Sequence, residues 1–352
     1  MSHATLTSPA SLTSLAAPVA PAAPAASAAP VTSTSSGSST TFGSSISSGS
    51  SDSSVEARIL RLLLPYHRTT GAGSADPADF PEQLRQIRQF TDAGEPVLFT
   101  LPGFPCKSPN PAKVLGHLPD EGERLSLAFL DRLCSRIGEV HAPGARILIC
   151  SDGHIFGDLV HVPDEHIDAY GDALRDLIAG EGLGRLDTFD LRDVHGDLDH
   201  DTKRRLVTEA YAPSVETLRA LVRSDEETAR LYRGITRFLV EDTADFDGTR
   251  SALQRECRTR AYGVIARSRA WGDLIADCHP RSVRLSIHPQ RPGAEKFGIR
   301  LLDAADAWAT PWHAAVLRGR GGEARLMHRA EAETRGRLVL RAGRPSHFEE
   351  RE

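Results

Sequence analysis

Lysine is almost missing from this chain: four residues, Lys107, Lys113, Lys203 and Lys296, stand against thirty-eight arginines. An ammonium can shift its pKa, act as a base or meet a phosphate as a point charge, whereas a guanidinium cannot lose its proton. Each remaining lysine therefore raises a chemical question. Excess positive charge is missing too. The net charge of -5 argues against general nucleic-acid binding, which needs a basic surface to release counterions. No apolar run is long enough to span a bilayer. The five cysteines form no C-x-x-C pair, which speaks against a structural zinc site or a disulfide framework and suits a reducing cytoplasm. No Walker A sequence or dinucleotide glycine fingerprint follows a strand-like run, so the commonest nucleotide signals are absent.

Residues 1–54 are rich in Ser, Ala, Thr, Pro and Gly and carry no Lys or Arg. Such a segment has too few large apolar side chains to offset its ordering entropy. It also lacks the basic start of a secretory signal and the arginines of a transit peptide. It is expected to be a disordered tail, or translation from an over-early start codon, without a part in the chemistry. Residues 55–345 read as a single catalytic domain and 346–352 as a C-terminal tail.

Within that domain, a short apolar helical patch is expected to begin near Val55, carry Ile59, Leu60, Leu62 and Leu63 and end before Pro65, with helices following from Phe80 to Ala93 and from Leu125 to Ile137. Further helices are expected from Pro163 to Ala179, Asp201 to Val222, Asp225 to Val240 and Arg250 to Cys278. Strands are expected at Val97–Leu101, Arg146–Cys150, Thr188–Leu191, Val283–His288, Lys296–Leu301, Trp312–Leu317, Ala324–His328 and Leu338–Arg341. Gly319 to Gly322 reads as a hairpin turn. Strand–helix alternation, then a helical block, then a strand-rich end, predicts an α/β fold: a mixed central sheet flanked by helices, a Rossmann-like core with a helical insertion.

Three stretches carry candidate chemistry. The proline-rich run Leu101–Lys113 follows a strand, where open α/β sheets place ligands, and offers Lys107 and Lys113 to a phosphate or carboxylate. Cys150–Val160 puts Asp152 at the end of a buried strand and Asp158 close behind, two acids for proton transfer or for holding an amine. His154, His161 and His166 lie nearby without recognisable ligand spacing, so no metal is expected. The acid-rich run His195–Asp201 departs from the EF-hand spacing and reads as a solvated loop capping the next helix. In Val283–His288 and Lys296–Leu301 the polar residues alternate with apolar ones. Closed as a hairpin, the two runs would set His288 opposite Lys296, Ser286 opposite Gly298 and Arg284 opposite Arg300. Like charges facing across a ladder need neutralising, which describes a cradle for an anion. Arg267, on a predicted helix, could reach a substrate carboxylate, and His313 opens a later strand beside Trp312.

Taken together, Phe104-Pro105-Cys106-Lys107-Ser108-Pro109-Asn110, Ser151 through Val160, Arg284 through Pro289, Glu295 through Leu301 and Thr310-Pro311-Trp312-His313 resemble the pyoverdine/dityrosine biosynthesis family. Its bacterial members include isocyanide (isonitrile) synthases. The likeness runs from about Arg58 to Leu340. It implies an enzyme that joins the α-amino group of an amino acid, L-tyrosine or L-tryptophan, to one carbon of ribulose 5-phosphate, in secondary-metabolite biosynthesis. No cofactor is implied, and an iron-dependent oxygenase would act downstream as a separate protein. Placed on the matching motifs, Lys107, Lys113, Lys296 and Arg300 would hold the sugar phosphate and polarise its ketone. Arg284 or Arg267 would hold the carboxylate, Asp152 and Asp158 would orient or deprotonate the amine, and His288 or His313 would shuttle protons. Other readings are a family member making an N-formyl product, a metal-dependent phosphohydrolase using Asp152 and Asp158, and a non-enzymatic anion sensor.

Overall fold

The computed structural model describes residues 54–69, 73–304 and 309–351, all within one compact unit, Ser48–Glu352. The expected tail therefore lies outside the described residues except for Ser54, whose hydroxyl accepts from Ala57 N at 3.3 Å and caps α1 (Val55–Leu63). Ile59, Leu60 and Leu63 recur on one face of α1 and are buried. Pro81 opens α2 (Pro81–Ala93), and Gly94, at φ 65°, ends it in the left-handed region that favours glycine.

The first sheet is built from β1 (Val97–Pro102), β2 (Ala145–Cys150), β3 (Leu186–Phe189), β4 (Val283–Ser286) and β5 (Phe297–Gly298). Its order is β3-β2-β1-β4-β5 and every neighbouring pair is parallel. Both faces are covered, so Val97, Phe99, Leu101, Ile147, Ile149, Val283 and Leu285 are all buried. Each such side chain contributes about 1.5–3 kcal/mol by leaving water.

The intervening helices are α3 (Glu121–Gly138), α4 (Gly153–Val160), α5 (Asp164–Gly180), α6 (Leu191–His195), α7 (His200–Tyr211), α8 (Val215–Ser224), α9 (Glu226–Asp242) and α10 (Arg250–Cys278). The last five make up the expected helical insertion. The chain lays β1, β2 and β3 outward in one direction, then returns through this block to place β4 on the other side of β1. That reversal opens a crevice at the carboxyl ends of β1 and β4, where parallel sheets bind ligands.

A second sheet, ordered β7-β6-β9-β8, is formed by β6 (Ala315–Arg318), β7 (Ala324–Met327), β8 (Gly336–Arg341) and β9 (Arg344–Glu350), with α11 (Arg329–Arg335) before β8. The expected mixture of strand directions is thus divided: the central sheet is parallel, and antiparallel pairs occur in the second.

Three expectations are corrected. The helix expected over Asp201–Val222 divides at Pro213, which ends α7, and Ser214 then caps α8 through Thr217 N. The expected C-terminal tail is largely β9, in which Ser346, His347 and Phe348 are buried. Finally, β4 and β5 are parallel rather than a hairpin. The other edge of β5 is taken by Tyr66–Arg68, which exchanges backbone hydrogen bonds with Gly298 and Arg300 and forms an antiparallel bridge between His67 and Ile299. A Cβ at position 298 would strike the Arg68 carbonyl and lie 3.0 Å from that of His288, so glycine is required there.

Candidate active site

The floor of the crevice follows from the residues after β1. Gly103 N donates to Cys150 O at 3.3 Å. A side chain on Gly103 would come within 3.2 Å of the Trp312 ring and 3.5 Å of Ile287, so the glycine lets the indole lie over the strand end. Phe104 packs against Trp312 with ring centroids 5.0 Å apart. It holds φ at 54°, an uncommon conformation for a side-chain-bearing residue. The Ser151 hydroxyl donates to Phe104 O at 2.9 Å. Gly153 lets the Pro105 carbonyl rest on the start of α4, where a Cβ would collide with it.

On the β2 side lies Asp152, immediately before α4. Its Oδ1 is sealed from solvent without a hydrogen-bond partner. Burial pushes the carboxyl up to about 7.

On the β4 side the groups are cationic. The Arg284 guanidinium donates to Gly272 O in α10 at 2.9 Å and to Glu295 at 2.5 Å. The Lys296 ammonium reaches the same notch: a Cβ on Gly272 would lie 3.3 Å from Arg284 Nη2 and 3.6 Å from Lys296 Nζ. Burial, then the Arg284 charge, lowers the pKa of Lys296. No hydrogen bond or ion pair engages its ammonium among the described residues. His288 is lowered by burial, then by Arg68 and Lys296, although it keeps solvent-accessible surface. Arg68 donates to Ile287 O, and the Arg300 charge acts on both His67 and Arg68. Arg68, Arg284, His288, Lys296 and Arg300 therefore form one electropositive wall. Arg68 escaped sequence reading because it follows Pro65 in a short turn, with no periodicity to mark it.

Other expected site residues are placed differently. Lys107 Nζ lies 2.8 Å from Asp120, 2.8 Å from Glu123 and 3.0 Å from Pro311 O, with no exposed side-chain surface. Burial opposes its charge, but the two carboxylates outweigh that and hold its pKa above the ordinary value. Asp120 and Glu123 are also the capping box of α3, and Tyr170 donates to Glu123 at 3.1 Å. Lys113 is buried against Asp242 at 2.8 Å, which also accepts from Ser108 at 2.6 Å. The expectation that Lys107 and Lys113 hold a phosphate is corrected on this ground, since both ammoniums already have buried carboxylate partners. Asp158 and Arg267 pair with each other, tying α4 to α10. His313 bonds to Thr310 at 3.0 Å and meets Phe238 edge-on; burial pushes it down to about 4.

Of the nearby histidines, His161 faces Glu256 at 3.9 Å and His166 stacks on His117 at 4.3 Å. His154 instead meets Asp168 and His200, two residues that no spacing rule had joined to it. No helix among the described residues is long and apolar enough to cross a membrane.

The chain is similar to known proteins over most of its length. The model of the family described as pyoverdine/dityrosine biosynthesis protein matches residues 87–339. The L-tyrosine isonitrile synthase of Pseudomonas aeruginosa is 46% identical over 311 residues, covering 84% of this chain and 94% of that protein. The L-tryptophan isonitrile synthase AmbI2 of Fischerella ambigua is 43% identical over 268 residues, covering 75% of this chain and 81% of that one. The crystal structure of PvcA from Pseudomonas aeruginosa superposes with a TM-score of 0.79 at 46% identity, covering 85% of this chain and all of that one. The chain belongs to the pyoverdine/dityrosine biosynthesis family, in its isocyanide synthase branch.

Proposed function

We propose that the protein converts the α-amino group of an aromatic amino acid, L-tyrosine or L-tryptophan, into an isonitrile, with ribulose 5-phosphate as carbon donor. The observation that carries this reading is the electropositive wall of Arg68, Arg284, His288, Lys296 and Arg300 across the end of β1 from Asp152. β2 and β4 flank β1, so their ends are about 10 Å apart, two strand spacings. That gap suits a sugar phosphate lying beside an amino acid.

In this reading Arg300 and Arg68 receive the phosphate, and Arg284 the amino-acid carboxylate. Lys296, the unpaired ammonium, polarises the C2 ketone as the substrate amine adds to it; the nitrogen–carbon bond forms and water leaves. Asp152 orients the amine, and His288 carries protons between the intermediates and the phosphate side. Holding both substrates in one hollow replaces a bimolecular encounter by an oriented one.

The test is incubation of purified protein with ribulose 5-phosphate and each amino acid, read by mass spectrometry. The expected product is an isonitrile; a product heavier by one water, the N-formyl amino acid, would replace this reading by the other family chemistry. Lys296→Ala is expected to lower turnover about 100-fold, the order found when one preorganised electrostatic donor is removed. Undiminished turnover in that variant would remove Lys296 from the mechanism.

A further inference from the structure

We infer that His154, Asp168 and His200 form a binding site for one divalent transition-metal ion of the zinc class, beside the reaction crevice rather than in it. The three residues come from α4, α5 and the first position of α7, and one ligand atom from each lies within 4.8 Å of the others. Asp168 Oδ1 is 3.1 Å from His154 Nε2, and its Oδ2 is 3.2 Å from His200 Nε2. Two ligand atoms bound to zinc at ordinary lengths and a tetrahedral angle stand about 3.3 Å apart. The spacing therefore matches a shared ion.

The hydrogen-bond inventory points the same way. His154 turns both ring nitrogens to carboxylates, Nδ1 to Asp164 at 3.1 Å and Nε2 to Asp168. One ring nitrogen can keep its N–H for a carboxylate while the other offers a lone pair to an ion. His200 is stacked flat on His154, centroids 3.7 Å apart and planes 8° apart, so an ion shared by both rings tilts one ring toward it. Its Nδ1 is sealed without a partner, so Asp168 alone holds the ring by a polar contact. A cation there would take the lone pairs of the two Nε2 atoms together with the Asp168 carboxylate. His154 then donates from Nδ1 to Asp164, the carboxylate–histidine–metal arrangement that fixes a ligand's tautomer. Asp164 is itself clamped by Arg204 through two 2.8 Å hydrogen bonds.

A cavity of about 20 Å³, lined by His154 and Asp168 together with Ser151, Thr188 and Arg192, adjoins the cluster. It has room for a single water as fourth ligand. Arg192 is the nearest competing cation, 3.6 Å from Asp168; it is half exposed and free to turn outward. Two imidazoles and one carboxylate select a zinc-like ion over magnesium or calcium, which take oxygen ligands. His154 lies two residues beyond Asp152, so the ion would fasten the start of α4 to α5 and α7 and act by positioning.

The experiment uses the full chain without an affinity tag, stripped with a chelator, desalted and titrated with Co²⁺ and with Zn²⁺. Expected are one equivalent bound per chain, visible absorption bands of four-coordinate Co²⁺ that Zn²⁺ displaces, and a melting temperature raised by either ion. Asp168→Asn and His200→Gln, close in shape to the native side chains, are expected to weaken binding at least 100-fold. Asp164→Asn is expected to weaken it about 10–100-fold. A wild-type protein that retains no ion after desalting and gives no cobalt bands overturns the site, leaving a plain imidazole–carboxylate network. So does binding that persists unchanged in Asp168→Asn. Metal content is read without turnover, so neither result depends on the substrate assignment.

Discussion

Replacing Lys107 by methionine separates two roles that the same residue could play. As a phosphate holder, Lys107 would be missed by the substrate and not by the fold. In the structure its ammonium is enclosed between Asp120 and Glu123, whose side chains are 3% and 0% exposed. Lys107→Met keeps the volume but leaves two buried carboxylates without their cation. Removing one partner of a buried ion pair costs about 3–5 kcal/mol, because the remaining charge is uncompensated. Part of that cost is relieved by protonation: burial already holds Asp120 up at about 7, even with Lys107 drawing it down.

A loss of this size is a large share of the roughly 5–15 kcal/mol that separates folded from unfolded protein. In a unit this large, about 2 °C is lost per kcal/mol, which predicts a melting temperature lower by roughly 6–10 °C. The assay is thermal unfolding followed by circular dichroism, with binding of ribulose 5-phosphate measured below the transition. Adding Glu123→Gln to Lys107→Met is expected to restore part of the lost stability, since one orphaned charge is removed while the single amide oxygen keeps one of the two bonds now accepted from Tyr170 and Asp120 N. Asp120 is left in place because it caps α3 through Gly122 N at 2.8 Å. An unchanged melt in Lys107→Met with sugar-phosphate binding abolished would refute the structural role and return Lys107 to the site.

Lysine scarcity makes a labelling test simple. Lys107, Lys113 and Lys203 are buried and Lys296 is half exposed with a lowered pKa, so mild acylation near pH 8 is expected to modify Lys296 first, read by peptide mass spectrometry. Equal labelling of Lys107 would contradict the buried ion pair. Gly153→Ala drives a Cβ into the Pro105 carbonyl and to 2.6 Å from Ile167, and should cost about 1–3 kcal/mol by overpacking. Gly180→Ala, with nothing within 4 Å of its Cβ, is the near-neutral control in the same denaturation assay. His313 gives an acid limb: its folded pKa of about 4 lies below the unfolded 6.5, so its contribution is complete above pH 6.5 and is lost as pH falls toward 4. At pH 4.5 that loss is on the order of 2–3 kcal/mol, and His313→Gln should flatten the pH–stability curve by this amount; identical curves would show that His313 is not desolvated.

The parts of the fold that could be read from sequence are those fixed by local pattern. The apolar runs at Val97, Ile147 and Val283 form the central strands, and Gly94 stops α2 where its conformation demands. β9 gave no such signal. Arg344–Glu350 has one large apolar residue, Phe348, and holds its place by backbone pairing with β6 and β8. The β4–β5 pair shows a subtler limit. A period of two assigns residues to faces, and Ser286 faces Gly298 in either orientation, but the pattern carries no information on strand direction. With the strands parallel, Arg284 falls beside Lys296 instead of Arg300, as their shared approach to Gly272 attests. An electropositive wall forms in both cases, with different neighbours.

The lysines state the same limit chemically. Their scarcity drew attention to each of them, yet three of the four are buried, and for Lys107 and Lys113 the reason is a carboxylate far along the chain or across a loop. Asp242, at the end of α9 and beyond the helix expected over Asp225–Val240, decides the fate of Lys113 from 129 residues away. Asp120 and Glu123 decide that of Lys107. Lys296 differs because burial and the Arg284 charge outweigh the nearby Glu295, already engaged by Arg284, and Asp273. What makes a basic residue available for chemistry is therefore which acids the fold brings to it, a property of tertiary packing that no count of lysines contains. The wall across from Asp152 is electropositive because its acids are outnumbered, and a carboxylate one helical turn from Gly272, as in Ala276→Asp, is expected to raise the pKa of Lys296 and slow its acylation near pH 8.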